Sequence, residues 1–238
     1  LACGSSALNH YQERDKDAMM ERTKDRPIPS GKISPSGAMI IAILFIVSGA
    51  YLLYFGSGFL AMQLGLLALI WYNAIYTPLK RKTAFAVVPG SIIGAIPPVV
   101  GWVAAGGSLT NPQVLILAFF FFIWQVPHFW LLLLKYGKEY EQAGFPSLTS
   151  IYTENQIRNI TFIWTLATAI ASLMIATFGV IDSIITKILL LLAAIWLVIA
   201  FADLILRKNQ AFNPFKYFMK INYFVLMVLF LLTLDVYL

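Results

Sequence analysis

The chain has 238 residues, of which 60% are hydrophobic and 12% charged, with a mean hydropathy of +0.79 and a formal net charge of +6. Soluble domains carry about a quarter charged residues, and a soluble core of this size has no room for so much apolar surface, so lipid is the expected solvent for most of the chain. The single cysteine, Cys3, excludes a disulfide framework and a multi-thiolate metal site.

The chain opens on LACGSSALNHYQERD, with no signal-peptide pattern. This small-residue stretch running into charge reads as the second half of a hydrophobic helix, so an amino-terminal truncation is expected. Seven apolar runs follow at 37–57, 59–78, 84–105, 112–134, 159–181, 184–206 and 217–238, each near the roughly 20 residues that cross the hydrocarbon. With the stub at 1–12 they make about eight helices of an all-α, polytopic transmembrane bundle, one domain over 1–238. The connecting loops alternate in character. FGSG, GGSLTN and GVIDS are short and nearly uncharged, whereas 13–36, 79–83, 135–158 and 207–216 are long or basic. Arg14, Lys16, Arg22, Lys24, Arg26 and Lys32 belong to the first of these polar loops. Lys80, Arg81 and Lys82 belong to the second, Lys135, Lys138 and Arg158 to the third, and Arg207, Lys208, Lys216 and Lys220 flank the fourth. Only Lys187 falls on the other side. The positive-inside rule therefore expects these loops in the cytoplasm. Topology accounts for the basic excess, so no nucleic-acid partner is needed.

The acids are not explained by topology, because anionic side chains contribute little to it. Glu13, Asp15, Asp17, Glu21, Asp25, Glu139, Glu141 and Glu154 all lie on the same polar side. If the first helix continues through this segment, Asn9, Glu13 and Asp17 share one face at a spacing of four. Like charges at that spacing repel unless a cation sits between them. Carboxylates and an amide there suit a hard ion such as Mg²⁺ with substrate phosphates completing its shell, and Arg22, Lys24 and Arg26 suit the outer phosphate oxygens. The alternative is a solvated loop whose charges pair with one another. YTPLKRKT adds three consecutive cations, Lys80 to Lys82, after a proline expected to end the helix. KYGKEYEQAGFPSLTS adds a second acidic segment. Two acidic patches and a basic one on one membrane face would cradle a diphosphate below an apolar chamber.

Several of these blocks carry a resemblance. NHYQERDKDAMMERTKDRP is similar to the Asn-x₃-Asp-x₃-Asp signature of the UbiA-type intramembrane prenyltransferases, and its Met20, Arg22-Thr23 and Arg26-Pro27 resemble the haem O synthase branch (protohaem IX farnesyltransferases). Tyr76-Thr77, Leu79-Lys80-Arg81 and the run Gly94-Ala95-Ile96-Pro97-Pro98 with Gly101-Trp102 resemble that branch's next block. WQVPHFW and the following AGFPSL resemble another. The likeness covers most of residues 5–150. Glu13 stands where the family has Asp, and Lys138 aligns with another usual Asp, leaving Glu139 as a ligand candidate. The resemblance implies a nine-helix fold and farnesyl transfer from farnesyl diphosphate to a vinyl group of haem B, giving haem O. It implies Asn9, Glu13 and Asp17 as catalytic residues and Mg²⁺ held among Asn9, Glu13, Asp15, Asp17 and Glu139. Arg22, Lys24, Arg26, Lys80, Arg81 and Lys138 would meet the diphosphate. It further implies a bacterial cytoplasmic membrane and association with terminal oxidase assembly proteins. The alternatives are a UbiA-type enzyme with a quinone-precursor acceptor, and a haem-handling protein or transporter without catalysis.

His128 follows Pro127 inside a span, where an ionisable residue is a functional candidate and imidazole a common haem ligand. A packing histidine bonded to a nearby carbonyl is the alternative. Tyr11, Tyr72, Tyr76 and Trp124 lie near the polar ends of spans and are the candidates for a prenyl pocket, whose carbocation needs a dry, π-lined site. The FFFFIW run at 119–124 is expected to face lipid or packing partners, and Asp203 and Asp235 have no assigned role.

Overall fold

The computed structural model describes residues 1–207 and 211–238; Lys208, of the fourth polar loop, lies outside the described residues. The regular secondary structure of the described residues is entirely helical. Helix α1 covers Ala2–Asp17. It is followed by α2 (Pro35–Ser57), α3 (Phe59–Leu79), α4 (Ala84–Ala104) and α5 (Pro112–Lys135). A short α6 (Gly137–Gln142) precedes α7 (Glu154–Thr177), α8 (Ile184–Leu206) and α9 (Pro214–Asp235). Seven of these, α2 to α5 and α7 to α9, are long and apolar enough to cross a membrane. Their outward side chains, such as Leu44, Val47, Leu52 and Ile199, are exposed and apolar, as helices solvated by lipid must be. The spans agree with the sequence to within two residues except at α9, which covers Pro214–Asp235 rather than 217–238, and at α7. It begins at Glu154 rather than 159 and stops at Thr177 rather than 181, so Arg158 belongs to a helix and not to a loop.

The chain forms two compact units. The first contains Leu1–Ser108 and Tyr136–Ser147. In it α1 packs on α2 through small residues. Gly4, Ala38 and Ala42 are buried, and a Cβ on Gly4 would stand 2.7 Å from the Ile46 side chain and 2.8 Å from its backbone nitrogen. Close approach through small residues is how helices associate where no hydrophobic effect drives them together. Ser34 caps α2 by accepting from the Gly37 N–H at 3.1 Å, with Pro35 in the first turn. Helix α3 widens to a π-helical turn over Trp71–Tyr76 before Pro78. The wide turn relieves the clash that a proline ring makes with the carbonyl four residues back, so the helix runs on to Leu79 instead of ending at the proline.

The second unit contains Leu109–Lys135 and Leu148–Leu238, and packs α5, α7, α8 and α9 around Phe120, Leu131, Ile175, Leu197, Phe201, Ile221 and Phe224. Within the FFFFIW run Phe119 is exposed and Phe120 fully buried, so the run serves both lipid and core. A capping box between Thr153 and Gln156 starts α7. Asp235 accepts from the backbone N–H groups of Asp182 at 2.9 Å and Ser183 at 3.1 Å, tying the end of α9 to the start of α8. Asp203 pairs with Arg207 one turn on, at 3.3 Å. Asp235 therefore has a structural role.

Candidate active site on the first helix

The first helix does continue through Asp17, and it buries a polar face. Asn9, Glu13 and Asp17 are 5%, 4% and 1% exposed, while Asp15, off that face, is solvated beside Arg14. Burying carboxylates is costly unless they are paired. Glu13 accepts from Lys80 Nζ at 2.5 Å and Asp17 from Arg26 at 2.7 Å. The Asn9 amide donates to Thr77 Oγ1 at 3.1 Å, and Thr77 in turn donates to the Tyr72 carbonyl in the π-helical turn. Glu13 Oε1 is buried and has no hydrogen-bond partner. An unmet buried acceptor costs about 1–3 kcal/mol, which a cation seated against it would recover. The residues thus fit a hard divalent ion. Among the described residues no three His, Cys, Asp or Glu side chains converge as a cage, so such an ion would take two carboxylates, an amide and oxygens from a substrate.

The cations divide into three groups. Lys80 and Arg26 neutralise the buried face, and burial pushes the Lys80 ammonium below the usual lysine value against the pull of Glu13. Arg81 and Arg22 join segments. Arg81 donates to the Gln12 carbonyl at 2.6 Å. Arg22 donates from its backbone N–H to Glu139 at 3.2 Å and from its side chain to the Tyr140 hydroxyl at 3.4 Å, and lies 5.1 Å over the Tyr136 ring. Lys24, paired with Glu21 at 2.6 Å, and Lys138 are solvated. The first unit thus brings α1, the 79–83 loop and the 136–147 segment together, while Glu139 faces Arg22 and Asp15 faces solvent.

Tyr72 and Tyr76 stack at 5.7 Å with an interplanar angle of 21°. Tyr72 lines an apolar cavity of about 420 Å³ with Ser5, Leu69, Ile96 and Pro97. Tyr76 leans on Gly90, where a Cβ would meet its ring at 2.5 Å, and its ring lies 5.7 Å from Lys80 Nζ. Tyr11 is covered by the Arg14 guanidinium at 4.7 Å. Trp124 is the fourth of the aromatic candidates. It belongs to the second unit, donates to the Ile221 carbonyl at 3.2 Å and stands 4.6 Å from the His128 ring. His128 sits between the rings of Trp124, Phe129 and Phe218 and has a buried Nδ1 without a partner.

Several residues at the site were not singled out by the sequence. Asn73 donates to Ser5 Oγ at 2.7 Å, and Gln12 donates to the Asn73 carbonyl at 3.1 Å, locking the π-helical turn to α1. Lys16 donates to the Ala143 carbonyl at 2.5 Å. Phe145 and Tyr140 pack with Met20, and Lys16 and Lys80 each lie 5.7 Å from the Phe145 ring. Tyr140's phenol is pushed up by burial. An amide inside a span is a signal that would have found Asn73.

The profile of the UbiA prenyltransferase family matches residues 1–224. A protoheme IX farnesyltransferase of Geobacter sulfurreducens is 47% identical over 149 residues, 63% of the chain and 55% of that relative's length. Another from Oleidesulfovibrio alaskensis is 34% identical over 235 residues, 99% of the chain and 81% of the relative. A third, from Nitratidesulfovibrio vulgaris, is 36% identical over 88% of the chain and 73% of its own length. A solved structure described as concerning digeranylgeranylglyceryl phosphate synthase superposes with a TM-score of 0.74 at 17% identity, covering 98% of this chain and 80% of the other. It shares the fold.

Proposed function

We propose, from the premise that the chain belongs to the UbiA prenyltransferase family, that it transfers the farnesyl group of farnesyl diphosphate to a vinyl group of haem B, giving haem O. The observation that carries this is the likeness to a protoheme IX farnesyltransferase along nearly the whole chain. The buried face of α1 supports the diphosphate chemistry.

Arg22, Arg26 and Lys80 supply positive charge where the diphosphate would lie, and so stabilise the electron pair that leaves with it as the C1–O bond of the farnesyl group breaks. Mg²⁺ held by Asn9, Glu13 and Asp17 would add Lewis-acid polarisation of the diphosphate oxygens. The cavity beside Tyr72 takes the hydrocarbon tail and keeps water from the allylic cation, and the faces of Tyr72 and Tyr76 stabilise its charge. The vinyl π electrons of haem B form the new carbon–carbon bond at C1. Water then adds to the cation left beside the porphyrin and releases a proton, completing the hydroxyethylfarnesyl group. His128 offers its free ring nitrogen to the haem iron. The polar loops face the cytoplasm of a bacterial cell, on the distribution of basic residues. Association with terminal oxidase assembly proteins belongs to the same proposal, with co-purification as its test.

The testing experiment offers the purified full chain farnesyl diphosphate with either haem B or a hydroxylated aromatic ring. Haem O and free diphosphate in equal amounts are expected from the first and no product from the second. Prenylation of the aromatic ring alone would replace the acceptor.

A further inference from the structure

Helices α1 and α3 of the first unit are joined by three side-chain bonds, about one turn apart. Lys80 Nζ donates to Glu13 at 2.5 Å, the Asn9 amide to Thr77 Oγ1 at 3.1 Å, and the Asn73 amide to Ser5 Oγ at 2.7 Å. Ser5, Asn9 and Glu13 are spaced four apart, so one stripe of α1 carries all three partners. The rungs change with depth from an ion pair to two neutral pairs. Asn73 also donates to the Leu69 carbonyl at 3.0 Å, which holds the third rung in place. Polar bonds between helices resist sliding, so the separation of Glu13 from Ser5 along α1, about 12 Å, is fixed.

The third rung stands at an apolar cavity of about 420 Å³ between α1, α3 and α4. Ser5 and Leu69, the two partners of Asn73, both line it. Its wall on α3 runs from Tyr72 through Ala68 to Gly65, and its wall on α4 from Ile93 to Val100. Each wall spans about 10 Å along its helix. An extended isoprene unit measures about 5 Å, at carbon–carbon bonds of about 1.5 Å, so the cavity takes two units beyond Tyr72. With the reacting unit beside Tyr72 and Tyr76, the chain that fits has three. The far half is open because its α3 wall is small. Ala68 lies one turn below Tyr72 on the same face, and a Cβ on Gly65 would stand 2.8 Å from the Leu53 side chain of α2, which bounds the far end on that side.

We propose that this cavity measures the prenyl chain, with Ala68 as the residue that sets its length. Ser5 and Asn73 are positioning residues: their bond holds the far wall at a fixed depth below the diphosphate. The donor this arrangement selects is an isoprenoid diphosphate of three units, against two or four. The proposal rests on the prenyl-donor part of the reading above and does not depend on the acceptor.

The test uses the full chain in detergent with Mg²⁺ and three probes, the S-thiolodiphosphates of geraniol, farnesol and geranylgeraniol, whose carbon–sulfur bond resists cleavage. Titration calorimetry gives each dissociation constant, titrations into protein-free micelles correct for partition of the chains, and each variant is accompanied by a melting curve. Wild type should bind the farnesyl probe about ten-fold or more tightly than either of the others, the scale on which an apolar pocket separates chains that underfill or overfill it. Ala68→Phe should weaken farnesyl binding by about ten-fold or more while geranyl binding persists, because the ring occupies the place of the last unit. Ala68→Leu, expected to act in the same direction, serves if phenylalanine destabilises the fold. Ser5→Ala should reduce the preference for farnesyl over geranylgeranyl by about three-fold or more, the scale of one lost hydrogen bond. Equal loss of geranyl and farnesyl binding in a folded Ala68 variant, or no loss of either, overturns the length role. An unchanged preference in a folded Ser5→Ala overturns the positioning role. Wild type that binds all three probes alike overturns the selection of length and leaves the prenyl-donor reading standing. Wild type that binds none of them overturns the prenyl-donor reading itself.

Discussion

Glu13 illustrates how one side chain carries two demands. One carboxylate oxygen is met by Lys80, and the other is buried and unmet. Replacing Lys80 by Met should therefore leave an unpaired buried charge and lower the melting temperature in the absence of divalent ions. Adding Mg²⁺ should then raise it by more than it does in wild type, because binding to the folded state alone stabilises by mass action. An equal response in both proteins would mean that Glu13 is not a ligand. The spacing of Asn9, Glu13 and Asp17 was legible in the sequence because a helix face is a matter of period. Their ion pairs were not, because Lys80 comes from a loop 67 residues away and any of the neighbouring cations had equal claim. Burial also changes what Asp17 is: at 1% exposure it is packed as well as charged, so Asp17→Asn, which keeps its shape, is a cleaner variant than alanine.

At the scale of the element, α1 depends on close contact with α2. Gly4→Ala should cost about 1–3 kcal/mol, the usual range for overpacking, since a backbone nitrogen lies among the atoms that must move. Reversible unfolding in mixed micelles reads this, and an unchanged stability would mean that α1 does not pack there. The spans themselves were legible because hydropathy over 20 residues is a strong signal. The start of α7 was not. Arg158 reads as a loop cation, yet it is 2% exposed, bonds Glu154 one turn earlier at 2.6 Å and 2.9 Å, and lies 5.1 Å from the Phe212 ring. A charge buried by tertiary packing leaves no trace in a local hydropathy average. The π-helical turn at 71–76 was equally hidden, since its cause is a proline two residues beyond it and its stabilising partners lie on α1.

At the scale of the molecule, the proposed orientation in the membrane rests on the alternating loops. In a background in which the exposed Cys3 is replaced by Ser, single cysteines at Ser30 and Thr83 should label from the cytoplasmic side and one at Ser108 only from the other; Asn209, a further position for such a label, lies outside the described residues. Ser30 and Ser108 are exposed, so accessibility does not limit the experiment. Labelling of Ser30 and Thr83 from opposite sides would separate the acidic helix from the basic loop that neutralises it, and the shared diphosphate site would be lost. Function at this scale comes down to whether the buried polar face of α1 is where the prenyl–oxygen bond is broken. The most direct measurement is single-turnover release of diphosphate from farnesyl diphosphate in the presence of haem B, titrated with Mg²⁺, in wild type and in Asp17→Asn of matched melting temperature. Release should require Mg²⁺ in wild type and slow by about 100-fold or more in the variant, the scale of losing one electrostatic stabiliser of developing charge, while the Soret band of bound haem is unchanged. Release at the wild-type rate in the variant, or with Mg²⁺ chelated, would contradict it.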